Sequence, residues 1–195
     1  MTALINAIKS GNIELAKSLI SDGADVNQPE ENLRPLTPLF YAIKQNNFDL
    51  VKILLEQGAK PFFAGYSYLT LAIYQVTVYK QTNEFKAINY QIVGALIDKG
   101  ADVNRLYNHG TNMGLENSLG PYPSLALFIL LLSKGATPSG LDVLLKNVRR
   151  QHSINLTKDI ITVVLSICKN TKKPNFHEDK ILSDYWDEVK RKIDY

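Results

Sequence analysis

Apolar residues fall at helical spacing in two well-separated stretches of this chain: Ile13, Leu15, Ala16, Leu19 and Ile20, then Phe48, Leu50, Val51, Leu54 and Leu55. Each stretch runs into a Gly-Ala pair, Gly23-Ala24 and Gly58-Ala59, and the pair returns at Gly100-Ala101 and Gly135-Ala136. Glycine enters the left-handed conformation that closes a helix at low steric cost, so the pattern predicts short amphipathic helices that end at the glycine. Upstream, Thr37-Pro38-Leu39-Phe40-Tyr41-Ala42-Ile43 matches Thr2-Ala3-Leu4-Ile5-Asn6-Ala7-Ile8 position for position. Threonine is a helix N-cap, and proline fits the first turn, where no amide donor is needed. The sequence therefore repeats a unit of two helices followed by an outward turn.

A Thr-Pro-Leu start, an alanine, a turn, a leucine-rich second helix and the exit Gly100-Ala101-Asp102-Val103-Asn104 resemble the ankyrin repeat. The resemblance implies an all-α solenoid of stacked helix-turn-helix units with β-turn fingers. The small stand-alone form and the abundance of Ile, Asn and Lys look bacterial. Four Gly-Ala signals at spacing make the resemblance specific over about Thr2 to Asn104.

Taken in order, one domain over residues 1–195 is expected, with repeats at about 2–35, 36–66 and 67–121. Repeat one pairs helices at about Thr2–Ser10 and Ile13–Ser21, then a finger through Gln28–Pro35 carrying Glu30, Glu31 and Arg34. The second finger is aromatic, Phe62-Phe63-Ala64-Gly65-Tyr66, and its rings either pack onto a neighbouring finger or stand out as an anchor. Repeat three carries an insertion at 74–91, which extends the first helix or forms a loop between the helices. The Asn- and Gly-rich stretch Arg105–Pro121 reads as a long finger loop. Repeat four, 122–155, reads as degenerate: Gly135 follows too soon for a second helix, so Leu125–Ser133 is expected as the first helix and Pro138–Gln151 as the second. Capping helices occupy 156–195, at about Leu156–Lys169 and His177–Ile193, the last covering the end of the stack with Tyr185, Trp186 and Val189.

Composition narrows the function classes. With 45% hydrophobic residues the chain has material for a continuous core, and the net charge of +3 is mild, its basic residues scattered over separate segments. That distribution predicts solvated helix faces and no nucleic-acid partner. The longest apolar run, Leu125–Leu132, is too short to span a bilayer, and the N-terminus lacks a signal-peptide core, so no membrane association and a cytoplasmic location are expected. The single cysteine, Cys168, excludes an internal disulfide and sits in an apolar run as a small core residue. His152 and His177 are its only conceivable bases nearby, with nothing to fix their geometry. No Cys/His spacing suggests a metal and no glycine-rich loop suggests a phosphate, so no catalytic, cofactor or metal site is expected.

By resemblance, the fingers and first helices line a surface that binds another protein. The expected contact residues are Lys44, Gln45, Phe62, Phe63, Tyr66, Tyr74, Gln75, Tyr79, Arg105, Tyr107 and His109. Lys9, Ser10, Glu30 and Glu31 extend the set, as do Phe128 and Ile129 unless the apolar run around them is core. The expected function is non-catalytic binding of a protein partner, as an immunity or inhibitor protein that neutralises a toxin. The alternative is a secreted effector that binds a host protein.

Overall fold

The computed structural model describes residues 2–31, 36–78, 81–105, 113–119, 121–168, 173 and 180–193. The chain forms two compact units, Met1–Asp102 and Val103–Tyr195, where the sequence suggested a single domain. The first unit holds α1 (Ala3–Lys9), α2 (Ile13–Ser21), α3 (Pro38–Lys44), α4 (Phe48–Glu56), a hairpin of β1 (Phe62–Phe63) and β2 (Tyr66–Ser67), α5 (Tyr68–Thr77) and α6 (Asn83–Asp98). The second holds α7 (Met113–Ser118), α8 (Leu125–Ser133), α9 (Leu141–Gln151), α10 (Ile154–Ile167) and α11 (Lys180–Ile193). Within each unit consecutive helices pair as neighbours, α1 with α2, α3 with α4, α5 with α6, α7 with α8 and α9 with α10. First helices then pack on first helices (α1, α3, α5), and second on second (α2, α4, α6; α8, α10). The apolar stripe of each element is thereby buried: Leu4, Ile8, Leu39, Ile43, Leu50, Leu54, Ile73 and Ile92 are all core.

Every second helix that ends in Gly-Ala ends in the same geometry. Gly23, Gly58, Gly100 and Gly135 have φ of 89°, 85°, 91° and 90°. The following alanine amide reaches back five residues to a leucine carbonyl: Ala24 to Leu19, Ala59 to Leu54, Ala101 to Leu96 and Ala136 to Leu131, each 2.9 Å. This is a Schellman closure, which satisfies carbonyls the helix end would otherwise leave without partners. After Gly23 and Gly100 the residue four positions on is an asparagine that bridges to a later joint; after Gly58 that position is Phe62. The Asn27 amide donates to the Gly58 carbonyl (3.0 Å) and its Oδ1 accepts from Lys60 N–H (2.9 Å). Asn104 repeats both bonds on Gly135 (3.1 Å) and Thr137 (2.7 Å).

The Asn104 bridge corrects the reading of the fourth repeat. Gly135 marks the same joint as Gly58, and α8 is a second helix, packed against α7 and α10. The first helix of that pair is α7, inside the stretch expected to be a finger loop, held by the buried Leu115 and Leu119. After it, α9 and α10 pair, and α11 packs against α10, with Leu182, Trp186 and Val189 buried.

Second-helix starts follow equally strict spacing. Eleven positions before the four glycines stand Asn12, Asn47, Asn89 and Ser124. Asn12 Oδ1 caps Leu15 N–H, Asn47 Oδ1 caps Leu50 N–H (both 3.0 Å) and Ser124 Oγ caps Leu127 N–H (3.2 Å). Asn89 does not cap, because the insertion of repeat three extends α6 upstream past it. The helix starts instead at Thr82, whose Oγ1 accepts from Phe85 N–H at 3.2 Å, seven residues or two turns before Asn89. The first helix, α5, is lengthened as well, to ten residues against seven in α1 and α3.

Thr2 caps α1 through Ile5 N–H as expected (3.3 Å), but Thr37 does not cap α3. Its hydroxyl instead bonds the buried Tyr68 phenol, at 2.9 Å, tying repeat two to repeat three. Burial pushes the Tyr68 phenol above its ordinary range, against the opposing hydrogen bonds from Thr37.

Gly58→Ala should lower stability by about 1 kcal/mol, because a Cβ there meets no atom yet must adopt a left-handed φ. Gly94→Ala, inside α6 with equally open space, should raise it by about 0.5–1 kcal/mol. Urea unfolding of the two variants checks both signs.

Candidate binding surface

The register of the first helices decides which of their side chains face outward. Aligning Ala7, Ala42 and Ala72, all buried, puts Lys9, Lys44 and Tyr74 in one column, Asn6, Tyr41 and Leu71 in a second, and Ser10, Gln45 and Gln75 in a third. The first column is open: Lys44 is exposed and Tyr74 is 47% exposed. The Lys9 ammonium lies 4.9 Å from the centre of the Tyr41 ring and 3.5 Å from Glu30 Oε1.

In the third column the side chains serve the stack. Gln45 Nε2 donates to the Ile8 carbonyl at 2.6 Å, and Gln75 Nε2 to the Lys44 carbonyl at 3.0 Å, each reaching back to the preceding first helix. In the second unit His152 Nε2 stands 3.1 Å from the Leu119 carbonyl in the equivalent role. The amides of Gln45 and Gln75 are therefore engaged in joining repeats, and the Gln75 carbonyl oxygen is buried without a partner.

The aromatic finger is a two-residue hairpin, with Phe62 opposite Ser67 and Phe63 opposite Tyr66. Ala64 and Gly65, at φ of 47° and 82°, make its turn, the sign pattern that matches the twist of paired strands. Phe62 is 60% exposed at the edge of this hairpin, while Phe63 is half-buried. The ring at 62 stands out; it does not pack back onto a neighbour.

The first finger behaves differently. Glu30, expected to face outward, is only 6% exposed, and its backbone amide bonds the Leu36 carbonyl at 3.0 Å while its carboxylate meets Lys9. Glu31 is exposed. Phe128 is core, and Ile129 lies on a second helix, so neither belongs to the first-helix surface. Arg105 is exposed after the Asn104 bridge. The side chain of Tyr66 and all of Tyr79, Tyr107 and His109 lie outside the described residues. On the first helices and the finger, Lys44, Tyr74 and Phe62 are exposed and Phe63, Tyr41 and Leu71 half-buried; Tyr41 and Leu71, which the sequence reading did not single out, share the column of Asn6.

At the far end of the helices, where α3 turns into α4, a cleft of about 400 Å³ opens between Gln45–Asp49 and α6, at Ile88 and Gln91. Cys168 is half-buried after α10, and His177 lies outside the described residues. Among the described residues no three metal-ligating side chains come together, and no helix is long and apolar enough to cross a membrane.

Comparison with known proteins agrees with the geometry. Residues 4–107 match a family model for ankyrin repeats in three copies. No curated protein matches the chain. Among solved structures, the chain is similar to an ankyrin repeat domain from Acinetobacter baumannii, at a TM-score of 0.69 and 16% identity over 96% of each chain. Identity that low speaks for the fold alone, which is the all-α repeat solenoid expected.

Gln45→Ala should cost about 1 kcal/mol by leaving the Ile8 carbonyl without its donor. Phe62→Ala should change stability by less than about 0.5 kcal/mol, since little of the ring is packed. Chemical denaturation separates the two roles.

Proposed function

The chain belongs to the ankyrin-repeat family, and from that premise we propose that it binds a protein partner, without catalysis, through the outward column of its first helices and its aromatic finger. The observation that carries this reading is the pair of exposed rings on rigid supports, Phe62 on the hairpin and Tyr74 on α5. Large rings pinned by a two-residue turn or a helix lose little conformational freedom on binding, which is what makes aromatic anchors energetically dominant at interfaces. Lys44, in the column beside Tyr74, supplies a positive rim that favours an acidic patch on the partner. Among roles for such a binder we favour an inhibitor or immunity protein acting in the cytosol, consistent with a lone half-buried cysteine that needs no disulfide.

The test is a quantitative capture experiment with the full chain and with Phe62→Ala/Tyr74→Ala as baits, in lysates of its source and of a candidate host. The reading expects one stoichiometric protein from the source lysate, reduced at least about 30-fold by the double substitution, as loss of about 2 kcal/mol of anchor energy requires. The melting temperature should stay unchanged. A partner found only in host lysate turns the assignment to an effector. Equal recovery by both baits overturns the proposed surface.

A further inference from the structure

Asn89 is a buried polar side chain with nothing to bond. It is 0% exposed, and neither its Oδ1 nor its Nδ2 has a hydrogen-bond partner. A buried carboxamide left in this state is costly, and such groups call for an explanation. The repeat register supplies one. Asn89 occupies, eleven residues before Gly100, the position from which Asn12 and Asn47 cap their helices. Only the two extra turns at the start of α6 deny it that role.

From this we infer that α6 carries two start sites one heptad apart, and that residues 83–88 form a detachable segment. In the long form the helix begins at Thr82 and Asn89 is stranded. In the short form residues 83–88 unwind and Asn89 Oδ1 accepts from Ile92 N–H, as Asn47 Oδ1 accepts from Leu50 N–H. Seven residues turn the helix by nearly two whole turns, so Ile92, Val93 and Leu96 keep their places in the core in both forms.

The surroundings allow the exchange. In repeats one and two the residue before the cap has positive φ, Gly11 at 73° and Asn46 at 54°, which a β-branched Ile88 resists. The fourth cap, Ser124, follows Pro123, whose ring holds φ negative, so this joint can be entered without the left-handed conformation. What ties the segment down is modest. The Thr82 cap is exposed, as are Asn83, Glu84 and Ala87; Phe85, Lys86 and Ile88 are only half-buried, and a side-chain bond reaches across from Asn46 Nδ2 to the Phe85 carbonyl at 3.0 Å. Unwinding releases that bond and withdraws Ile88 from the cleft beside the start of α4, so the segment gates the cleft.

Site-resolved amide hydrogen exchange on the full chain tests the inference. The amides of residues 86–91 are helical only in the long form, whereas those from Val93 onward are helical in both. They should exchange at one shared rate, at least tenfold faster than residues 93–96, with a step at Ile92–Val93. Thr82→Ala should speed the shared rate about fivefold and leave residues 93–96 unchanged. Asn89→Leu, which relieves the stranded amide and removes the second cap, should slow residues 86–91 at least tenfold. Asn89→Ser, which keeps a capping oxygen as Ser124 does, should retain the step. A smooth gradient from the helix end, or protection at 86–91 equal to 93–96 and indifferent to Thr82→Ala, overturns the two-start reading.

Discussion

The structure depends on one joint, the closure of each second helix by a left-handed glycine followed by an alanine amide turned back on a leucine carbonyl. The closure consumes carbonyls at the helix end and buries Ala59, Ala101 and Ala136 against the core. It also fixes the direction in which the chain leaves. From that fixed exit, Asn27 reaches the carbonyl of Gly58 and the amide of Lys60, and Asn104 does the same at Gly135 and Thr137. Asn27 and Asn104 thus each hold a later joint through two hydrogen bonds to backbone, independent of what the intervening helices carry on their outer faces. Nearest-neighbour coupling of this kind lets a repeat vary its surface without losing its place.

The surface follows from that freedom. Ala7, Ala42 and Ala72 and the isoleucines after them must be buried for the first helices to pack, whereas the next position, Lys9, Lys44 or Tyr74, is bound by no such demand. The third column is a mixed case. Gln45 and Gln75 sit near the surface but spend their amides on the previous helix. Their bonds hold the frame from which Lys44 and Tyr74 project. The hairpin finger meets the same requirement by different means, its two positive-φ residues leaving no slack between Phe62 and Ser67.

Much of this architecture was legible in the chain, because 3.6-residue periodicity and a Gly-Ala stop are local signals. The helix α7 was not. Gly114, Asn117 and Ser118 are poor helix formers, and the buried Leu115 and Leu119 anchor it, so tertiary packing overrides local preference. The legible clue lay at longer range: Gly100 to Gly135 is 35 residues, the same as Gly23 to Gly58. Glu30 read as an outward carboxylate because its partner, Lys9, is 21 positions away. The engaged state of Gln45 depends on a carbonyl 37 positions back, and the prominence of Phe62 on the turn its neighbours adopt. Contacts across repeats leave no mark in local sequence.

The central claim is that the eleven-residue distance from cap to joint is the dimension the fold must keep, and that insertions are accepted in whole helical turns. Comparing the urea unfolding of two deletions tests it most directly. Removing residues 83–89 sets Thr82 eleven positions before the glycine of the third joint, and should leave one cooperative transition within about 1 kcal/mol of the parent. Removing residues 83–87 together with Asn89→Leu rotates the Thr82 cap by about 140° relative to the core face and leaves no second cap, and should cost about 1–2 kcal/mol more than the first deletion. Equal damage from both deletions, or none from either, would contradict the account.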